Sequence, residues 1–277
     1  MESSAIIFCN SVFGARTNTE GWESTGAAML TGKIPYWGYH ISENRLGTHL
    51  VNVDIDLKSI MDWNLLGYYI GELVQERIPV FDGVRRVPNL SSLKPFGAAL
   101  ASSGGVEMYH IIGITPEAHD LHEAFGNNKP VATLNFGAAE RKKAYDNLTS
   151  AKDPNVDFVA LGCPHYSMEE IWEVCKLLKG KSVHSNTSLW IFTLRAIKAL
   201  ADRSGYTEII TRAGGHIMTD TCPVYGQVYP KGTKVVATDS AKQAHYTPAV
   251  MGFETWYGSL EDCIQAAISG QWRGELR

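Results

Sequence analysis

Hydrophobic and polar positions along this chain switch repeatedly between a strand period and a helix period. Ala5-Ile6-Ile7-Phe8-Cys9 is a continuous apolar run and reads as a buried strand, with Cys9 inside it as core. A polar loop from Asn10 to Asn18 follows, then a helix including Thr25 to Leu30 that ends before Gly32-Lys33-Ile34-Pro35. Tyr36 to Arg45 is aromatic and polar loop, and Thr48 to Ile55 alternates as a strand does. From Ile60 to Val74 the apolar positions Ile60, Met61, Leu65, Leu66, Tyr69, Ile70, Leu73 and Val74 recur at helical spacing. Leu93 to Ser102 reads as a small-residue helix and Val106 to Ile112 as a strand. Thr115-Pro116-Glu117 has Pro where a first helical turn accepts it. A strand at Val131 to Leu134 and a charged helix at Ala138 to Leu148 follow.

The second half is more regular. Val156 to Leu161 is a buried strand running into Gly162-Cys163, and Ser167 with Glu170 forms a capping box for the next helix. Met168, Ile171, Trp172, Cys175 and Leu178 share one face of that helix, and Gly180 stops it. Ser188 to Phe192 is a strand, with Thr193 as cap for a helix from Leu194 to Asp202. A short helix around Glu208 to Arg212 precedes the strand His216 to Thr219, which delivers Cys222. Val235 to Thr238 and the helix Ser259 to Ser269 complete the pattern. Strand, helix, strand, helix, strand implies a parallel sheet with right-handed crossovers, whose ligands lie beyond the carboxyl ends of its strands. The expected class is α/β, parallel or mixed sheets flanked by helices in two lobes. The division is expected at Asp153-Pro154-Asn155, giving lobes 1–153 and 154–277, the second a βαβαβ lobe carrying Cys163 and Cys222. A strand buried on both faces at the very start needs neighbours, so the first lobe is expected to be incomplete at its N-terminus; a natural short start is the alternative.

Composition narrows the function. At 277 residues, with 44% hydrophobic and 19% charged side chains, the chain can bury a substantial core. A formal charge of -4 leaves no basic surplus for nucleic acid. No apolar run reaches the roughly 20 residues of a membrane span, and no signal peptide opens the chain. Five scattered cysteines, an odd number in a chain of this size, argue against a disulfide framework and for a cytoplasmic setting.

The candidate chemistry centres on Cys163, in Gly162-Cys163-Pro164-His165, and Cys222, in Asp220-Thr221-Cys222-Pro223. A thiol at a strand end just before a helix N-terminus is biased toward thiolate; the alternative is a small buried hydrophobe. Two thiolates at one sheet edge suggest a soft metal or an iron–sulfur cluster, yet no C-x-x-C is present and two ligands rarely suffice. Cys175 and Cys263 read as core. Arg16, in the loop after the first apolar run, has the donor fork to hold a carboxylate or phosphate; an ordinary surface ion pair is the alternative. Lys242 and His245 share a small-residue segment suited to substrate contact or to capping. His165 can serve as an acid or base or as structure.

Together, Asn10-Ser11-Val12-Phe13-Gly14-Ala15-Arg16-Thr17-Asn18, Gly162-Cys163-Pro164-His165, Asp220-Thr221-Cys222 and Ser240-Ala241-Lys242-Gln243-Ala244-His245-Tyr246 resemble the catalytic large part of aconitase X. Glu43-Asn44-Arg45, Ala99 to Gly104 and Gly113 to Ala118 carry the same resemblance, which covers essentially the whole chain from Glu2. The stretch from Cys163 to Cys222 is also similar to the cluster-bearing domain of aconitases, except that Cys222-Pro223-Val224-Tyr225 stands where those enzymes have C-x-x-C.

The resemblance implies an aconitase-like fold and an iron-dependent dehydratase acting on a small hydroxylated carboxylic acid. The substrate it favours is cis-3-hydroxy-L-proline, with mevalonate 5-phosphate as the alternative. It makes Cys163 and Cys222 ligands of iron, held as a cluster or a single ion, with the third cysteine in an N-terminal segment missing from this chain. It also implies a small swivelling domain or subunit as partner, and a catalytic base that lies outside the chain if the aconitase pattern holds. Arg16, His165 and Lys242 are then the catalytic candidates. Asn10, Ser11, Arg16, Thr17, Asn18, Ser103, Ser240, Lys242 and His245 are the substrate-binding ones. A non-catalytic remnant or binding subunit, and redox regulation through a Cys163–Cys222 disulfide, are the competing readings.

Overall fold

A computed structural model describes the chain from Glu2 to Arg277, and its elements fall into two compact units, Met1–Arg141 and Lys142–Arg277. In the first unit α1 (Glu2–Val12) and α2 (Trp22–Thr31) precede β1 (His49–Val53), α3 (Ile60–Val74), β2 (Pro79–Asp82) and α4 (Leu90–Gly104). β3 (His110–Ile111), α5 (Leu121–Phe125), β4 (Ala132–Phe136) and the start of α6 (Ala138–Leu148) follow. The sheet is parallel throughout, in the order β3-β2-β1-β4. The point where the strand order reverses lies between β1 and β4.

The first apolar run is helix, not strand. Within α1 the buried positions are Ser4, Ile7, Asn10 and Ser11, spaced three or four apart, while Ile6, Phe8 and Cys9 are half-buried. Polarity hid this face: Asn10 and Ser11 are buried because their side chains are hydrogen-bonded. Ile7 packs over Gly97 of α4.

The helix expected from Ile60 to Val74 is α3, opened by a capping box in which Ser59 Oγ accepts from Asp62 N and Asp62 Oδ2 accepts from Ser59 N. Asp62 also holds Arg141 at 2.7 Å. α3 and α4 pack closely because glycine lies at their crossing. A Cβ on Gly71 would stand 2.1 Å from Ser103 Oγ and 2.8 Å from Leu100 O. Below them Trp63, Phe81, Phe96 and Tyr109 meet edge to face, with the Phe96 and Tyr109 centroids 4.8 Å apart.

Two further expectations fail locally. Of Val106 to Ile112 only His110–Ile111 pairs as strand. Thr115-Pro116-Glu117 is a tight turn, its ends tied by Thr115 N to Ile111 O and Ala118 N to Thr115 O; the helix starts later, at Leu121, under an Asp120 cap.

In the second unit β5 (Phe158–Tyr166), α7 (Met168–Leu178), β6 (Ser188–Thr193), α8 (Arg195–Arg203), α9 (Tyr206–Arg212) and β7 (Gly215–Thr219) build one half of a parallel sheet. The short α10 (Pro223–Gly226), β8 (Val235–Thr238), α11 (Ala241–Tyr246), β9 (Glu254–Tyr257) and α12 (Leu260–Ser269) complete it. The order is β7-β6-β5-β8-β9, parallel at every pair, so the strand order reverses between β5 and β8. Alternate residues of β5 feed two cores. Val159 and Leu161 join Ile171, Cys175, Leu178, Cys263 and Ile264, while Phe158 and Ala160 join Phe192 and Val236.

The capping box at Ser167 and Glu170 forms as expected. Thr193 does not cap α8. Its hydroxyl donates to Tyr166 O at 2.6 Å, and the Asp220 carboxylate accepts from Arg195 N at 3.1 Å in its place. β5 also continues past Cys163 to Tyr166, with an irregular register between Leu161 and Tyr166. Among the described residues no helix is long and apolar enough to cross a membrane.

Candidate functional site

Each unit carries its own group of candidate side chains. In the second unit the group sits at the reversal point of the sheet, where an α/β fold presents ligands. Gly162 prepares it: its φ is +97°, and a Cβ there would meet Phe192 O at 2.2 Å, so only glycine lets β5 pass β6 at that point. The Cys163–Pro164 peptide bond is cis.

Cys163 follows within β5, and its carbonyl accepts from the Ser240 hydroxyl, just beyond β8. Ser240 in turn caps α11, accepting from Gln243 N at 3.0 Å. Lys242, in the first turn of α11, is buried with its charge beside Cys163. On the other flank Asp220 adopts a left-handed φ of 52°, its N–H donating to Thr193 O and its carboxylate accepting from Arg195 Nε. That turn delivers Thr221 and Cys222. His165 Nε2 donates to Thr221 O at 2.8 Å, tying the two cysteine segments together.

The two thiols meet. Cys163 hydrogen-bonds the Cys222 sulfur, so the pair holds one proton between them more readily than two or none. The shared bond and burial push the Cys163 thiol well up, with the Lys242 charge working against them. The same bond, helped by the amides of Tyr225 and Val224, brings Cys222 down to about 5 against its own burial. All five cysteines are free thiols, and Cys175 and Cys263 lie in the core as expected.

Sequence reasoning passed over two residues beside this group. The Tyr166 hydroxyl donates to Asp239, and Asp239 precedes Ser240. The available signal was position: a carboxylate directly after an apolar strand, and a tyrosine three residues beyond a candidate cysteine.

In the first unit the group is built on the end of α1. Asn10 is fully buried, its amide donating to Thr17 O at 2.9 Å and its oxygen accepting from Thr17 N at 3.0 Å. This closes the loop that exposes Arg16. Ser11 Oγ accepts from Tyr109 N, and Asn18 Oδ1 accepts from Tyr39 N at 2.7 Å. Arg16 donates Nη1 to His40 O at 2.8 Å and Nη2 to Ser42 Oγ at 3.0 Å, which holds the guanidinium in one direction. Ser103 stands apart from these residues in role: within α4 its hydroxyl donates to Ala99 O and faces Gly71. His245 is half-buried, edge-on to Tyr246.

Among the described residues no group of three or more His, Cys, Asp or Glu side chains is placed to hold a metal ion. Cys163 and Cys222 are two adjacent soft donors, the kind that bind iron or zinc.

The fold and site define a parallel α/β unit with two adjacent thiols, Cys163 and Cys222, on the carboxyl-end side of its strands. Family comparisons place it more closely. The aconitase X first domain matches residues 1–43, the second domain 47–146 and the third domain 156–269. The chain belongs to the aconitase X family. It is 41% identical to the phosphomevalonate dehydratase large subunit of Methanocaldococcus jannaschii, over 95% of this chain and 66% of that protein. It is 39% identical to the cis-3-hydroxy-L-proline dehydratase of Pseudomonas aeruginosa, over 98% of this chain and 47% of that one. The solved holo form of Thermococcus kodakaraensis aconitase X superposes with a TM-score of 0.84 at 36% identity, covering 96% of this chain and 67% of that one. The chain thus spans about half to two thirds of the length of these relatives.

Proposed function

We propose that this chain is the metal-bearing part of a hydro-lyase that removes water from a small hydroxylated carboxylic acid, with cis-3-hydroxy-L-proline as the first substrate to test. The observation that carries the reading is the hydrogen-bonded pair Cys163–Cys222 at the sheet's reversal point, with Lys242 beside it. Two adjacent thiols fit iron as two of its ligands, and among the described residues no third His, Cys, Asp or Glu side chain is placed with them. When bound there, iron supplies a Lewis acid for the departing hydroxyl.

The chain's own residues carry the remaining tasks. Arg16, its direction set by His40 O and Ser42 Oγ, presents N–H donors to the substrate carboxylate and stabilises charge that develops when the adjacent carbon loses its proton. Lys242 holds a positive charge next to Cys163 and favours the thiolate that a metal requires. His165 commits Nε2–H to Thr221 O, so its part is to hold the two cysteine segments in register. Relatives named large subunits support a smaller polypeptide as partner. Five free thiols suit a reducing compartment, the cytoplasm.

The test is to reconstitute the chain anaerobically with iron and its partner polypeptide, and to follow loss of cis-3-hydroxy-L-proline and of mevalonate 5-phosphate separately. Turnover of the first supports the reading in full. Turnover of mevalonate 5-phosphate alone moves the substrate to that of the relative named phosphomevalonate dehydratase, a reading favoured by the 41% identity. Failure to take up iron leaves a binding subunit, for which the two-ligand donor set is the supporting observation.

A further inference from the structure

Two stretches, Glu43-Asn44-Arg45 and Gly113 to Ala118, take no part in the chemistry proposed above, yet the fold brings them together. Arg45 Nε donates to Glu117 Oε2 at 2.8 Å, and its Nη2 reaches the other oxygen of the same carboxylate. Arg45 is 2% exposed and is the largest of the fully buried side chains among the described residues. Its other donors go to main chain: Nη1 to Tyr39 O at 3.1 Å and Nη2 to Asn10 O at 3.2 Å. The carbonyl of Arg45 itself accepts from His110 Nε2 at 2.7 Å.

A buried guanidinium is tolerated only while its acceptors stay in place. These acceptors belong to three separate segments: the turn after β3, the turn around Tyr39, and the last turn of α1. The last two are the walls of the Arg16 loop. Asn10 closes one wall on Thr17, and Asn18 joins the other through Tyr39 N and Trp37 O. Arg16 then leans on His40 O and Ser42 Oγ, in the same stretch as Tyr39. Glu117 also abuts Gly14, where a Cβ would lie 3.7 Å from its Oε1. Moving Arg45 therefore moves both walls.

We propose that Arg45 and Glu117 form the positioning pair for Arg16, setting the direction in which its guanidinium meets a substrate carboxylate. This rests on the reading of Arg16 given above. Neither residue touches substrate; both act through Arg16.

The experiment compares Glu117→Gln and Arg45→Lys with Asp62→Asn, which breaks another partly buried ion pair of the same unit, Asp62–Arg141. All are measured in the iron-loaded protein with its partner, on whichever of the two substrates turns over. Both Glu117→Gln and Arg45→Lys should lower kcat/KM by about tenfold or more. Made on top of Arg16→Lys, each should lower it by less than about twofold further, because the pair works only through that side chain. Asp62→Asn should reduce thermal stability and leave kcat/KM in place. Additive losses with Arg16→Lys, unchanged kcat/KM, or an equal loss in Asp62→Asn would overturn the proposal. Amide hydrogen exchange adds a readout that needs no turnover: Glu117→Gln should lose protection in residues 10–18 and 37–42 and keep it in α3. If the wild-type protein turns over neither substrate, the functional reading fails and exchange alone decides. Loss confined to those two segments then sustains the pair as the clamp of the Arg16 loop, and uniform or absent change rejects it.

Discussion

His110 shows how one buried side chain links burial to pH. Its Nε2 donates to Arg45 O, and its Nδ1 has no hydrogen-bond partner among the described residues, as suits a neutral ring. Burial holds its pKa below the ordinary value. The Arg45 charge acts in the same direction, and the hydrogen bond to the Arg45 carbonyl with the charges of Glu117 and Glu123 acts against it. The unfolded chain takes up this proton near pH 6.5 while the native ring stays neutral. Below that value the native protein therefore binds fewer protons than the unfolded chain, and stability declines as pH falls toward the folded pKa by up to about 1.4 kcal/mol per pH unit. Urea unfolding at pH 7.5 and 5.5 should show a smaller drop in His110→Asn than in wild type; equal drops would refute the assignment. At this scale the sequence was a mixed guide. Cys163 and Cys222 could be picked out because each stands within a few residues of the end of an apolar run. Arg45 and Glu117 could not, since a charged residue in a polar loop looks the same whether it is solvated or buried against a partner 72 positions away.

At the scale of elements, the α3–α4 crossing makes a sharp expectation. Gly71→Ala sets a methyl within 2.1 Å of Ser103 Oγ and 2.8 Å of Leu100 O, and the second is main chain that cannot rotate away. Overpacking of this kind costs about 1–3 kcal/mol, measurable as a lower thermal midpoint, whereas Gly26→Ala on α2, with open space around it, should not destabilise. Loss of the cap in Ser167→Ala should cost about 1 kcal/mol, read by the same melt. Caps and long periodic helices were legible because their signals are local: the Ser-x-x-Glu spacing and the repeat from Ile60 to Val74 coincide with α7 and α3. The first apolar run was misread for the converse reason. Three large apolar residues in a row match a strand, and the helical face emerges only when Asn10 and Ser11 are counted as buried. Strands β2 and β9 were not read from the sequence pattern.

For the whole molecule, metal content is the decisive quantity. On the proposed iron site, Cys163→Ser and Cys222→Ser should each abolish iron uptake on anaerobic reconstitution, measured by elemental analysis. Cys175→Ser should retain it, since that thiol lies in the core against Tyr206 O at 3.6 Å. Equal iron in all three would remove these thiols as ligands. The sequence by itself determined the α/β class, the order of most strands and helices, and the positions of the two thiols, because periodicity, caps and strand ends are written within a few residues of one another. Tertiary structure decided the rest. That Cys163 and Cys222 share a hydrogen bond depends on β5 and β7 lying on either side of β6. That Ser240 and Lys242 join them depends on β8 returning to the far side of β5. Such neighbours are set by strand order and register, which arise from the packing of the sheet as a whole and leave no mark in any short stretch of chain.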